Sequence, residues 1–265
     1  VLGVPFTASH AAAVLPMARA PLVASALVIG SMSPDVPYYL PVPVSSEMTH
    51  APVGVVSVDV LLGLVVFMAW HGILMRPALA AAPARLRGRI SSGVVHGLRT
   101  RLSTLRRLLL VLVSLSIGAA THIGWDSFTH AGGWGTTHVP WLTQQHGPLA
   151  GYGWAQYASG MFGALVVARW LVLWWYRTPV APAASGLRPQ FVSLAWLSVF
   201  AAGAAGAVYG SVDPLTSPEG PDLAGAAFLG ATRGIAWAAL VAFLLAASWH
   251  LATRSPAPGG KEISR

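Results

Sequence analysis

Hydrophobic positions in this chain come in long unbroken runs, not in strand alternation or heptads. Five stretches, roughly 54–75, 108–128, 157–176, 190–210 and 225–252, stay apolar over the ~20 residues that a helix needs to cross a bilayer core. The pattern predicts an all-α fold, a polytopic bundle of transmembrane helices with five spans. Residues 8–31 are also apolar but are interrupted by Pro16, Arg19 and Pro21. A signal peptide places its charge ahead of the apolar core, whereas Arg19 sits inside it. We expect two short helices, about 9–19 and 21–31, with Pro21 in the first turn of the second. Together they form an N-terminal helical hairpin; the alternative is one kinked crossing, which makes six spans.

Charge then orients the bundle. Charged residues are 9% of the chain, against about 25% in a soluble domain. Eight of the sixteen Lys and Arg residues lie between Arg76 and Arg107, while segments 31–53, 129–156 and 211–224 hold none. Arginine-rich loops mark the cytoplasmic side, so 76–107, 177–189 and the C-terminus are expected there and the other loops outside. Contact with anionic lipid headgroups is compatible with this. Nucleic acid is not an expected partner, because aromatic residues do not interleave with the basic ones. The segment RTPVAPAASGLRP (177–189) reads as a cytoplasmic linker between a module at 1–176 and a further helix pair at 190–252. Residues 253–265 read as a disordered cytoplasmic tail, and the Gly/Ala run at 201–207 as close helix packing. With no cysteine, disulfides, thiolate metal sites and a cysteine nucleophile are excluded.

Against this background a few polar residues need a reason. THIGWDSFTH (121–130) places His122, Asp126 and His130 at intervals of four. On a helix His122 and Asp126 share one face and can reach one cation; they can equally form a buried hydrogen-bonded pair between helices. His10, Asp35 and His50 each sit beside an apolar segment, at ASH, SMSPD and MTH. If the N-terminal segment folds back, all of them gather at the external end. Mixed nitrogen and oxygen ligands suit Zn²⁺ or Mn²⁺. Asp59, inside the first span, is a candidate partner of a metal-bound His or a helix–helix hydrogen bond. His71 reads as structural, His250 as interfacial, and His138 in the external loop as a candidate extra ligand. That loop, with Trp134, Trp141 and Trp154, reads as a lid or lipid-contact surface.

The set FTASHAAAVLP, ALVIGSMSPD, THAPVG, an Asp-bearing span and GAATHIGWDSFTH resembles the bacterial membrane-protein family catalogued as DUF4184, over about residues 4–176. More distantly it is similar to the membrane-bound metal-dependent hydrolases typified by the YdjM proteins, and to the helical zinc-dependent phospholipase C and nuclease group. The resemblance implies a bacterial cytoplasmic (inner) membrane protein and a metal set of His10, Asp35, His50, His122 and Asp126, with His130 following in the same motif. In the phospholipase C group the free amino terminus is also a ligand; nine residues precede His10 here, a departure from that pattern.

These readings give three expected functions. The first is a metal-dependent hydrolase at the external interface, with one or two Zn²⁺ or Mn²⁺ ions activating water against an ester or phosphoester, free or lipid-linked. Asp35 is its expected proton acceptor and Glu47 the alternative. The second is a transporter or sensor with an ion or small-molecule site. The third is a non-catalytic scaffold. The sequence leaves the oligomeric state open.

Overall fold

The computed structural model describes residues 7–90, 97–182 and 186–254. Among these, strand is confined to a two-residue antiparallel ladder, Gln145–His146 with Leu149–Ala150. We label six helices: α1 (Ala24–Gly30), α2 (Val58–Ala81), α3 (Leu105–Thr129), α4 (Gly151–Arg177), α5 (Pro189–Leu215) and α6 (Leu223–Arg254). Helices α2 to α6 are each long and apolar enough to cross a membrane. The chain is an all-α, five-span bundle. Helices outrun their apolar cores: α2 continues through Arg76 to Ala81, and α6 includes residues 253 and 254, where the sequence predicts the tail. The rest of that tail lies outside the described residues. In the linker, 178–182 and 186–188 are non-helical, and 183–185 lie outside the described residues.

The N-terminal segment folds back as a hairpin, but with shorter helices than the sequence predicts. Its first arm is a helical turn, Ala11–Val14, between two 3-10 turns, Thr7–His10 and Leu15–Met17. Pro16 lacks the N–H needed to continue an α-helix. The second arm, α1, begins at Ala24, which leaves Pro21 in the connection. The cause is a side chain from another helix: Ser114 Oγ of α3 accepts from the Val23 N–H at 2.9 Å, and Val23 is held extended (φ −97°, ψ 103°).

Helix α1 is wedged between α2 and α3, where Ala26, Phe67, Val111 and Leu115 form the core. The α1–α3 crossing is a backbone contact. A Cβ on Gly30 would overlap the Leu115 carbonyl, and one on Gly118 would overlap the Leu27 carbonyl. Small residues permit such approaches in membrane bundles. The crossing sets Ser31, just past α1, against His122, one turn beyond Gly118.

Helix α2 contains a π turn, Trp70–Leu74. Its buried His71 lies 3.0 Å through Nε2 from Ser25 Oγ, and its Ile73 carbonyl accepts from His250 Nε2 of α6 at 2.9 Å. His250 therefore clasps two helices. Helices α5 and α6 pack along each other through small residues, with Gly206 against the Arg233 carbonyl. Only 6% of the most apolar window of each is buried within the chain, so both present most of their apolar surface outward. The pair meets the remaining bundle through His250 at the arginine-rich end and through Phe228, whose ring sits edge-on to Tyr38 at 5.6 Å, at the other.

Candidate metal centre

Four chain segments converge at the end of the bundle opposite the arginines. Helix α3 supplies His122 and Asp126, both buried and one turn apart. The hairpin supplies His10. The 3-10 turn Ser33–Asp35 after α1 supplies Asp35, and the helical turn Ser46–Thr49 supplies His50 as its C-cap. The last two are tied together, because Thr49 Oγ1 donates to the Pro34 carbonyl at 2.7 Å.

Backbone carbonyls aim two of the imidazoles. His122 Nδ1 lies 2.8 Å from the Ser31 carbonyl, and His50 Nδ1 lies 2.8 Å from the Ser46 carbonyl. A carbonyl only accepts, so each Nδ1 carries the proton. Each Nε2 is turned into the cluster, the arrangement that fixes a metal-binding tautomer.

Asp35 Oδ1 and Asp126 Oδ2 face both Nε2 atoms. His122 Nε2 is 3.4 Å from Asp35 Oδ1 and 3.2 Å from Asp126 Oδ2. His50 Nε2 is 3.5 Å and 3.6 Å from the same two oxygens. Ligands held tetrahedrally at the usual zinc distances lie about 3.3 Å from one another. These four separations cluster around that edge length. His122 Nε2 is fully buried, yet forms no hydrogen bond. A buried nitrogen with no hydrogen bond among the described residues, facing two carboxylate oxygens, is a donor suited to a cation.

His10 takes the other side of Asp126. Its Nε2 is 3.5 Å from Asp126 Oδ1, and its ring stacks on that of His122 with centroids 3.9 Å apart. Donor atoms of His10, His122 and Asp126 lie within 4.8 Å of one another, as do those of Asp35, His50 and His122. The two triads share His122, whose Nδ1 is already bonded, so one of its atoms serves both. His130 is more peripheral: Nδ1 is 3.6 Å from Asp126 Oδ2, half of its side chain is exposed, and its Nε2 meets Gln156 at 3.0 Å.

Burial and charge set the titration of the groups outside the spans. Burial pushes His10 down to about 4, and the His122 imidazole adds to this. Burial also opposes ionisation of Asp35, yet the neighbouring His122 and His50 imidazoles and the Thr7 hydroxyl hold its carboxyl well below the usual carboxylate range. His50 would be lowered by burial alone; the Asp126 and Asp35 carboxylates raise it to about 9.

Above the cluster opens a cavity of about 590 Å³. Tyr38, Trp125, Trp134 and Phe228 give it aromatic walls, Glu47 lies on its lining, and no Lys or Arg is among its described lining residues. Trp134 and the adjoining glycines bring the 130–150 loop to its edge. The six predicted metal-site residues are thus gathered in one place, with His130 at the rim. His138 and His146 are not part of it: their rings stack on Trp134 and Trp141. Asp59 forms no hydrogen bond to a cluster histidine. Sequence reasoning missed Thr7, which donates to Asp35 Oδ2, although it lies within the FTASH motif. It also missed Tyr38, Gln156 and Phe228.

A family model described as "Domain of unknown function (DUF4184)" matches residues 4–247, so it extends through the α5–α6 pair, beyond the 4–176 expected from the motifs. No curated protein and no solved structure matches the chain.

Proposed function

We propose that this chain, which belongs to the DUF4184 family, is a metal-dependent hydrolase of an ester or phosphoester, acting at a membrane surface. One observation carries the reading: two imidazole nitrogens each lie 3.2–3.6 Å from the same two carboxylate oxygens, beneath an open cavity. The donor chemistry fits Zn²⁺ first and Mn²⁺ second. Asp35, His50, His122 and Asp126 would hold the ion, with His10 and His130 beside Asp126. Such an ion supplies Lewis acidity and a water acidic enough to lose its proton near neutral pH.

The chain's own groups divide the remaining work. Asp35 has one oxygen bonded by Thr7 and the other turned to His50 and His122, which leaves it poorly placed to accept a proton. Glu47, exposed on the cavity lining, is free to do so and is the proton acceptor in our assignment. The aromatic walls suit an amphiphilic, lipid-linked substrate. The lack of Lys and Arg there favours an ester or diester over a polyanion. By the positive-inside rule the arginine-rich end faces the cytoplasm of a bacterial inner membrane, with the site outside and the C-terminus inside.

The test is metal content by mass spectrometry on detergent-purified protein, wild type beside the His122→Ala/Asp126→Ala variant. Zinc or manganese in the wild type, absent from the variant, supports the reading. Absence of metal from both, after purification with added ions, overturns it. A metal-free ion cluster then takes its place: His50, held protonated up to about 9, can itself offset carboxylate charge.

A further inference from the structure

Nine residues along the chain from His50 lies a second arrangement of buried acceptors. Asp59, in the first turn of α2, is 0% exposed, and neither carboxylate oxygen has a hydrogen-bond partner among the described residues. Thr49 is also 0% exposed, and its carbonyl receives no donor among the described residues. The two face the same place. At the position where any residue but glycine would carry its Cβ at 54, Asp59 Oδ2 and the Thr49 carbonyl oxygen each lie 3.1 Å away, and the Met48 carbonyl oxygen, which already accepts from the His50 and Ala51 N–H groups, lies 2.6 Å away. Buried acceptors without donors repel one another, and burying a carboxylate without a partner carries a large desolvation penalty. Something positive belongs between them.

We propose that Asp59, with the carbonyls of Thr49 and Met48, forms a second cation site, chemically unlike the first. All its donors are oxygens, so the ion is hard; it offers a single carboxylate, so the ion is monovalent, of the sodium class. The backbone is broken here in the way that frees carbonyls for such an ion in membrane proteins. The helical turn at Ser46–Thr49 ends, a 3-10 turn runs over Gly54–Val56, and Ser57 leaves helical geometry (φ −126°, ψ −96°) before α2 begins. Gly54 is buried at the centre of the break. Because Met48 and Thr49 belong to the turn that presents His50, a bound ion ties that turn to the start of α2. The site does not depend on the hydrolase reading.

The experiment is thermal unfolding of the full chain in detergent, zinc-loaded and chelator-treated, in sodium chloride against N-methylglucamine chloride at equal ionic strength. Sodium is expected to raise the midpoint by about 5 °C, saturably and in both preparations, since a ligand bound only to the folded chain stabilises it. Asp59→Asn is expected to abolish the rise. Equal midpoints in the two salts, or an undiminished rise in the variant, overturn the proposal. Should the variant not fold, equilibrium dialysis of wild type with radioactive sodium decides. Binding of a single ion per chain that zinc does not displace supports the site. No binding overturns it and leaves a neutral, protonated Asp59 carboxyl whose own O–H serves the neighbouring carbonyls.

Discussion

The bundle around α1–α3 and the α5–α6 pair are both helical and apolar, and both rely on glycine at their crossings, yet they bury different things. Around α1–α3 the interior holds Asp35, Asp59, His71, Ser114, His122 and Asp126. Between α5 and α6 the buried side chains are small, such as Ala226, Thr232 and Ala246. The first region uses close backbone approach to deliver a carbonyl to an imidazole. The second uses it to pack helix on helix, with the Ser211 hydroxyl donating to the Ala226 carbonyl at 3.1 Å. Glycine at a membrane crossing thus has two uses, and only the first ties helix packing to chemistry.

The sharpest way to break this contrast is at the cluster. His122→Ala/Asp126→Ala is expected to abolish metal binding, whereas Phe228→Ala, on the pair, should leave metal content at the wild-type level. Mass spectrometry of the purified variants checks both. Next come the glycines. Gly118→Leu forces α1 away from α3 and should cost about 2–3 kcal/mol; because it also shifts the Ser31 carbonyl, zinc affinity should fall about tenfold or more. Gly203→Ala meets only ordinary contacts, with the Ala238 Cβ 3.5 Å away, and should change the melting midpoint by no more than about 1–2 °C.

A smaller effect separates the clasp from the site. His250→Leu leaves the Ile73 carbonyl without its donor, at a cost of about 1–2 kcal/mol. The midpoint should fall with zinc stoichiometry unchanged. The mildest probe is pH. His50 in the metal-free cluster is raised from 6.5 to about 9, and a metal takes the neutral imidazole, so binding releases its proton. Zinc affinity in a buffered-metal titration should climb as pH rises toward about 9. Stability of the metal-free chain runs the other way. The contribution of a raised His is complete below 6.5 and is lost as pH rises through about 9. Identical pH profiles with and without zinc would contradict a metal at His50.

Much of this was legible in the sequence because the physics is one-dimensional. A helix that crosses a bilayer needs an apolar run, and a polar group beside such a run needs a reason, which picked out His10, Asp35, His50, His122 and Asp126. What was not legible depends on contacts across the chain. Every residue carries a carbonyl, so nothing marks Ser31 and Ser46 as the groups that aim His122 and His50. His138 and His146 have the same chemistry as the ligands and stand close to them in sequence, but the loop stacks them on tryptophans. The start of α1 slipped past Pro21 because Ser114, 91 positions from Val23, accepts its N–H. Phe228 lies about a hundred residues from the nearest metal-site residue, with no local pattern linking it to a cavity.

The π turn in α2 has a consequence for alignment and for design. A π turn inserts one residue into the helical count, which rotates everything after it by about 100° relative to an uninterrupted α-helix. The first part of α2 presents Asp59, Gly63 and Phe67 inward, and the part after the turn presents Met75 and Pro77. An uninterrupted α-helix of the same length would swing Met75 and Pro77 away from the inward face and take the Ile73 carbonyl from His250, whereas deleting one residue between Trp70 and Leu74 would remove the extra residue and keep that face inward. Substitutions in this segment are a question of side chains; a change of length by one is a question of phase, and the two halves of α2 can be read in a common frame only with that offset included.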